Sequence, residues 1–124
     1  MLASTKMIGF AITKDSKRAR KFYADILGFT FVSEDQFALV IKTKENMIRI
    51  STVKDFTPAG HTILGWQVAD IESVAAHLKE RGVVFETYAW MKQSALGIWA
   101  APGGDKVAWF KDPDGNVLSI SQHV

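Results

Sequence analysis

The side chains that could perform chemistry in this chain are few. The sequence has three histidines, thirteen acidic residues and no cysteine. Without cysteine, disulfides, thiol nucleophiles, zinc ribbons and iron–sulfur clusters are excluded. No Gly-x-Ser-x-Gly elbow and no Ser/His/Asp set is visible along the chain. The glycine pair within Ala101–Asp105 lacks the lysine and the strand–helix context of a phosphate loop, so it predicts a hairpin turn.

Length and composition predict one soluble domain, residues 1–124. Hydrophobic residues make up 48% and charged residues 23%, with a formal net charge of +2. The basic residues are scattered apart from a group in Lys14–Lys21, and nucleic-acid binding is therefore not expected. No apolar run reaches the roughly 18 residues of a membrane span. Met1–Phe10 shows no signal-peptide pattern, and we expect a cytoplasmic protein.

The first half of the chain predicts a strand, a helix and three more strands. Asp15 or Ser16 is expected to cap the helix, and Gly28 to end it. The predicted strands are Met7–Thr13, Phe29–Ser33, Phe37–Thr43 and Met47–Val53.

The second half repeats this pattern. A strand at Thr62–Val68 precedes a helix capped by Asp70 and ended by Gly82. The β segments that follow are Val83–Tyr88, a stretch before Gly103, Asp105–Phe110 and Asn116–Ser121. Asp15 and Asp70 lie 55 positions apart. We therefore predict two βαβββ modules, about 1–57 and about 58–124.

Three stretches give the chain a family resemblance. DSKRARKFYADILGF, VADIESVAAHLKERGV and VAWFKDPDGNVLSI resemble the first helix, second helix and closing hairpin of the glyoxalase / bleomycin-resistance / extradiol-dioxygenase (vicinal-oxygen-chelate) superfamily. The resemblance implies an α+β fold in which the two modules form a curved mixed sheet around a pocket, with helices on the outer face. It also implies a homodimer. Turn chemistry alone explains Asp112–Gly115, because proline presets φ and glycine allows the strand to resume.

The resemblance also implies where a metal would be held. Metal-using members place a His, Gln or Glu on the first strand of each module and a carboxylate or similar ligand on the last. The matching positions here are Ile8, Arg49, Ile63 and Ser119. Divalent cations prefer carboxylate or imidazole ligands, and arginine would repel one. We therefore expect no metal and no other cofactor. A displaced site using His61 and His123 is the alternative, whereas surface histidines are the simpler interpretation.

Strand alternation predicts the lining of the pocket. If Ile8 faces inward, Phe10 and Ile12 do so too, and Ala11 and Thr13 face the helix. In the same way Ile63, Gly65 and Gln67 face inward, as do Val117, Ser119 and Ser121. Such a pocket suits a small organic ligand that is neutral or anionic. Arg49 would favour a carboxylate or phosphate, unless it extends to water or pairs with Glu45.

The segment Tyr88–Ala101 is longer than a tight β connection and carries Trp90 and Trp99. It is expected to act as a lid or as a dimer contact. Trp90, Trp99 and Trp109 are candidate ligand contacts, with plain packing as the alternative. The candidate ligand-binding residues are Ile8, Phe10, Arg49, Ile63, Gln67, Trp90, Trp99, Trp109 and Ser119, and no catalytic residue is assigned.

Three functions agree with these features. The first is a metal-independent small-molecule-binding protein that sequesters a drug or metabolite. The second is a lyase, isomerase or dioxygenase with a non-standard or absent metal, such as a lyase related to lactoylglutathione lyase. The third is a dimeric module whose pocket is filled by its own side chains.

Overall fold

The helices and strands of this chain fall into two halves of similar design. The computed structural model describes all 124 residues and divides into two compact units, Met1–Thr57 (unit 1) and Pro58–Val124 (unit 2). Each unit contains a helix and a four-stranded mixed sheet. The predicted α+β fold with two βαβββ modules is therefore confirmed. No helix in the chain has the length and apolarity needed to span a bilayer.

The sheet of unit 1 has the strand order β1-β4-β3-β2. Its strands are β1 (Ile8–Thr13), β2 (Thr30–Glu34), β3 (Ala38–Lys42) and β4 (Met47–Thr52). β1 and β4 are parallel and the other pairs are antiparallel. The alternation of β1 is as predicted, since Ala11 and Thr13 are buried whereas Ile8, Phe10 and Ile12 are exposed.

The helix of unit 1 closes over the buried side of this sheet. Helix α1 (Ser16–Arg20) packs on β3 and β4 and continues without a break as a π-helical segment, Lys21–Ile26. The Asp15 carboxylate accepts a hydrogen bond from the Arg18 N–H at 3.1 Å, which confirms the predicted cap. Gly28 has a φ of 82° where the helix must end.

Unit 2 repeats this arrangement with the strand order β5-β8-β7-β6. Its elements are β5 (Thr62–Gln67), α2 (Ile71–Glu80), β6 (Trp99–Ala100), β7 (Lys106–Lys111) and β8 (Val117–Gln122). β5 is parallel to β8, and the other pairs are antiparallel. The Asp70 carboxylate caps α2 by accepting from the Ser73 N–H at 3.2 Å. Ile71, Ala75 and Leu78 form the buried stripe of α2, which packs on β7 and β8.

The turn between β7 and β8 is built around one buried carboxylate. Asp112 accepts from the Asp114 N–H and the Asn116 N–H, each at 2.9 Å, and from the Asn116 side-chain amide at 2.8 Å. Gly115, with a φ of 88°, donates its N–H to the Asp112 carbonyl at 3.0 Å. These bonds fix the hairpin register in which Lys111 pairs with Val117.

The strand predicted at Val83–Tyr88 does not form. Only Phe85 bridges to β7, opposite Phe110, and the Glu86 N–H donates to the Trp109 carbonyl at 2.8 Å. The pairing ends there because the Gln93 side chain forms hydrogen bonds with the backbone groups of Glu86 and Tyr88. It accepts from the Tyr88 N–H at 2.8 Å and donates to the Glu86 carbonyl at 3.0 Å.

Glu34 links β2 to the first helix, and its contribution to the stability of the protein can be measured. Its carboxylate accepts from the Ser16 hydroxyl at 2.6 Å and pairs with the Arg20 guanidinium at 3.2 Å. The Ser16 hydrogen bond and then the Arg20 guanidinium hold the pKa of the Glu34 carboxyl below its usual value. A carboxyl with a depressed folded-state pKa stabilises the fold above its unfolded-state pKa and loses that contribution as the pH falls through the folded value.

We therefore expect Glu34→Gln to lower the free energy of unfolding by about 1 kcal/mol near pH 7. The difference from the wild type should shrink as the pH falls below about 4 and disappear once Glu34 is protonated in the folded protein as well. Urea unfolding at several pH values measures this, with Glu45→Gln, in the exposed turn before β4, as the matched control. An equal loss in Glu34→Gln at all pH values would show that shape, not charge, explains the contact.

Candidate functional site

Three of the predicted ligand-binding residues share the exposed sheet face of unit 1. Arg49 on β4 is the register partner of Phe10 on β1, so their side chains leave the sheet on the same side. Ile8 lies two residues earlier on that face, and the exposed fractions of Ile8 and Phe10 are 48% and 61%. An apolar strip with one cation beside it therefore lies open on unit 1.

The guanidinium of Arg49 makes no ion pair, and the alternative of a bridge to Glu45 is wrong. Arg49 interacts electrostatically with the Asp35 carboxylate. The pKa of Asp35 is lowered by hydrogen bonds from the Ala38 and Phe37 N–H groups, and then by the charge of Arg49. Arg49 therefore keeps its donors available for an anionic group.

In unit 2, strand register brings most of the remaining predicted residues onto one sheet face. One row contains Gly65, Ser119 and Trp109, and the next contains Gln67, Ser121 and Val107, with Trp99 beside Val107. Directly paired residues project to the same side of a sheet. Gln67, Ser119, Trp99 and Trp109 therefore belong to one surface.

Gly65 and Ser119 form the closest approach on this surface. Ser119 is only 9% exposed, and a Cβ at position 65 would lie 2.7 Å from the Ser119 hydroxyl oxygen. Glycine at 65 leaves room for that hydroxyl between β5 and β7. A side chain there would have to displace it.

Ile63, another predicted ligand contact, lies at an irregularity in the pairing of β5 with β8. The register shifts between Thr62, paired with Val117, and Leu64, paired with Leu118. Ile63 is the extra residue of this bulge and is half-buried. Because the pairing is irregular at Ile63, strand register alone does not place its side chain, and its predicted ligand contact stays a prediction.

Four aromatic rings form a continuous cluster on unit 2, which we call the aromatic cluster: Tyr88, Trp90, Trp99 and Trp109. Ring centroids are 5.7 Å apart for Tyr88 and Trp90, 5.9 Å for Tyr88 and Trp109, and 6.2 Å for Trp99 and Trp109. These distances are typical of favourable aromatic pairs. Trp90, at the end of the cluster, is 79% exposed. Tyr88 joins the tryptophans, a role that sequence analysis missed because Tyr88 was expected to lie within a strand.

A groove of ≈ 400 Å³ adjoins the cluster at Tyr88. Its other lining residues come from the loop before β5, from Glu86 and from the β7–β8 hairpin: Pro58, Ala59, Gly60, Glu86, Lys111, Gly115 and Val117. Lys111 and Val117 pair with each other two positions from Trp109 and Ser119, so the groove continues the same sheet face. Its volume lies within the range of small-molecule sites.

The loop that carries Trp90 is held by Gln93. Besides its bonds to Tyr88 and Glu86, the Gln93 amide donates to the Gly97 carbonyl at 2.8 Å. Ser94 adds a turn, since its hydroxyl accepts from the Ile98 N–H at 3.2 Å. The Tyr88–Ala101 segment is thus a hydrogen-bonded loop. Its predicted role as lid or dimer contact stays a prediction.

The metal-ligand positions do not fit a metal. Ile8 and Ile63 have aliphatic side chains, and Arg49 is a cation. Ser119 offers one hydroxyl, and no group of three or more His, Cys, Asp or Glu lies together anywhere in the chain. The alternative site using His61 and His123 is wrong as well. β5 and β8 run parallel, so these histidines lie at opposite ends of the sheet, about 20 Å apart.

One further polar group was not visible in the sequence. Ser121, His123 and Asp105 are joined by hydrogen bonds at the end of β8. Ser121 and His123 have strand spacing, but Asp105 reaches them only through the β7–β8 pairing.

This fold and this donor set define a class of protein. Residues 8–120 match the family model of the Glyoxalase/Bleomycin resistance protein/Dioxygenase superfamily. The chain belongs to this superfamily, as its sequence predicted.

Solved structures share the fold at low sequence identity. A superfamily member from Sphaerobacter thermophilus has 22% identity and a TM-score of 0.76, with 99% of this chain and 100% of that chain covered. TnmS3, an antibiotic binding protein from Streptomyces sp. CB03234, has 24% identity and a TM-score of 0.73, with 100% and 99% covered. Lactoylglutathione lyase from Agrobacterium tumefaciens has 15% identity and a TM-score of 0.74, with 96% and 93% covered. No curated protein matches the sequence.

Gln93 provides a direct test of how the Trp90 loop is held. We expect Gln93→Ala to remove three hydrogen bonds and lower the free energy of unfolding by about 2 kcal/mol. Because Tyr88 loses its anchor, tryptophan emission should also move to longer wavelength. Urea unfolding followed by tryptophan fluorescence measures both effects. Lys92→Ala, the exposed neighbour, is the control, and equal behaviour of the two variants would contradict the role of Gln93.

Proposed function

We propose that this protein is a metal-independent small-molecule-binding protein, and that its ligand is an aromatic organic molecule lying against the aromatic cluster and the adjoining groove of unit 2. The observation that carries the proposal is the exposure of Trp90 on a loop fixed by Gln93. A large apolar ring held in solvent by a hydrogen-bonded loop provides stacking area without an ordering cost on binding.

The polar content of this surface fits a ligand of low charge. Ser119 contributes a hydroxyl that has no hydrogen-bond partner within the protein, and Gln67 contributes an exposed amide. Lys111 at the groove already pairs with Glu86 at 3.4 Å. A neutral or weakly anionic ligand would therefore form hydrogen bonds on this surface without encountering a strong electrostatic potential. TnmS3, an antibiotic-binding protein, supports the proposal because it has the same fold.

The sheet face of unit 1 that carries Phe10 and Arg49 is a second candidate ligand-binding surface. An unpaired guanidinium beside exposed Phe10 and Ile8 suits a molecule with an apolar body and a carboxylate, sulfonate or phosphate group. The homodimer implied by the resemblance stays a prediction, which sedimentation equilibrium measures.

The lyase alternative requires ligands that the four family positions do not supply. A metal-dependent enzyme would recruit carboxylates or imidazoles, and Ile8, Arg49, Ile63 and Ser119 provide neither. Elemental analysis of the purified protein tests this point. Stoichiometric divalent metal that restores a lyase activity would contradict the binding-protein proposal.

The aromatic cluster can be tested with 8-anilinonaphthalene-1-sulfonate, an aromatic anion that fluoresces when bound. We expect Trp90→Ala and Trp99→Ala each to weaken its binding about fivefold, since each removes one stacking partner. Phe37→Ala removes an exposed aromatic ring of unit 1 and is the matched control. Unchanged titration curves in both tryptophan variants would refute the role of the cluster.

Arg49 is tested by comparing an anionic with a neutral probe. In protein that carries Trp90→Ala and Trp99→Ala, so that the site on the Phe10–Arg49 face is observed separately from the aromatic cluster, we expect Arg49→Ala to weaken binding of the anilinonaphthalene sulfonate about fivefold at low salt. Nile red binding should be unchanged, because only the anion gains from the guanidinium. Lys44→Ala removes another exposed cation of unit 1 and is the control. Equal loss for both probes would show that Arg49 acts through packing, not charge.

A further inference from the structure

The hydrogen-bonded group at the end of β8 has the connectivity of a nucleophilic triad. The Ser121 hydroxyl oxygen lies 2.9 Å from His123 Nε2, and His123 Nδ1 lies 3.0 Å from an Asp105 carboxylate oxygen. His123 lies one residue beyond the end of β8, and continued alternation puts its side chain on the same side as that of Ser121. Asp105 precedes β7, where Lys106 pairs with Gln122, and thus reaches the far side of the imidazole.

When the His123 imidazole is neutral, its two neighbours determine which ring nitrogen carries the proton. The ionised Asp105 carboxylate only accepts, so it accepts from the Nδ1–H of His123. The lone pair of Nε2 is then free to accept from the Ser121 hydroxyl. The other Asp105 oxygen accepts from the Val124 N–H at 3.0 Å, which holds the carboxylate in place. That hydrogen bond, together with the one from His123, lowers the pKa of Asp105, so the carboxylate is charged at neutral pH.

The surroundings provide a place for a substrate. Ser121 is paired with Val107 on one side and with Gln67 on the other, and Trp99 lies beside Val107. An acyl chain next to Ser121 therefore meets an apolar wall, and the Gln67 amide can donate to its carbonyl oxygen. The side chains of His123 and Asp105 are partly exposed, so a small molecule reaches them without an opening of the fold.

We propose that Ser121, His123 and Asp105 form a hydrolytic triad that cleaves small activated esters, an activity separate from the proposed binding function. His123 Nε2 takes the hydroxyl proton as Ser121 Oγ bonds to the carbonyl carbon. The C–O bond to the leaving alcohol then breaks, and the alcohol takes the proton from Nε2. Water attacks the acyl-serine, His123 accepts its proton and returns one to Ser121, and the carboxylic acid is released.

Hydrolysis of p-nitrophenyl acetate by the full chain tests the proposal. We expect turnover above the buffer rate that falls at least about tenfold in Ser121→Ala and in His123→Asn. Ser73→Ala and His77→Asn, exposed residues of α2, are the matched controls and should keep the wild-type rate. Asp105→Asn should also lower the rate, and circular dichroism confirms that each variant is folded.

Covalent labelling gives a readout that does not depend on the variants. A fluorophosphonate should add to the wild-type protein at Ser121, located by mass spectrometry of the peptide, and the adduct should be absent from His123→Asn. Two results would overturn the proposal. One is the absence of an adduct at Ser121. The other is ester cleavage in Ser121→Ala at the wild-type rate, which would show that the imidazole reacts alone.

Discussion

The register of the β7–β8 hairpin is the constraint on which the surface of unit 2 depends, and the buried Asp112 carboxylate sets that register. Its bonds to Asp114 and Asn116 place Lys111 opposite Val117. Trp109 then falls opposite Ser119, and Val107 opposite Ser121. A shift of one residue would exchange the two faces of the strand and send Trp109 into the helix-packed core. The positions of the aromatic cluster and of the Ser121 group therefore both depend on the β7–β8 register.

A second constraint comes from the long connection between α2 and β6. This loop forms only two isolated bridges, Phe85 to Phe110 and Gln93 to Trp99, and the Gln93 side chain hydrogen-bonds the backbone groups that a strand would have paired. The same glutamine that ends the strand thus holds Tyr88 against Trp109. The hydrogen bonds of Gln93 tie the loop internally, and Trp90 lies exposed on it.

The loss of the family's metal positions is consistent with this surface. Metal-using relatives need anionic or imidazole donors that converge on a cation, whereas Ile8 and Ile63 offer only apolar area. The hydroxyl of Ser119 cannot replace a carboxylate, and it lies beside Gly65, where an added Cβ would come within 2.7 Å of it. In this chain these positions present apolar side chains, one cation and one hydroxyl.

Features that depend on neighbouring residues were predictable from the sequence. Asp15, Asp70 and the Asp112–Gly115 turn signal helix starts and a hairpin through local hydrogen bonds. Strand alternation predicted which residues share a sheet face, as the pairing of Phe10 with Arg49 and of Gly65 with Ser119 shows. Features that depend on distant residues were not. The bulge at Ile63, the reach of Gln93 and the meeting of Asp105 with His123 arise from register and side-chain direction, which a single sequence does not display.

The proposed binding of an organic ligand by the aromatic cluster involves one face of the unit 2 sheet. Nuclear magnetic resonance of the four tryptophan indole N–H groups tests this most directly, because Trp66 on β5 has the opposite parity from Gly65 and Gln67. During titration with the anilinonaphthalene sulfonate, we expect saturable shifts of the Trp90, Trp99 and Trp109 signals with little change at Trp66. Equal shifts of all four signals, or a shift of Trp66 alone, would contradict it.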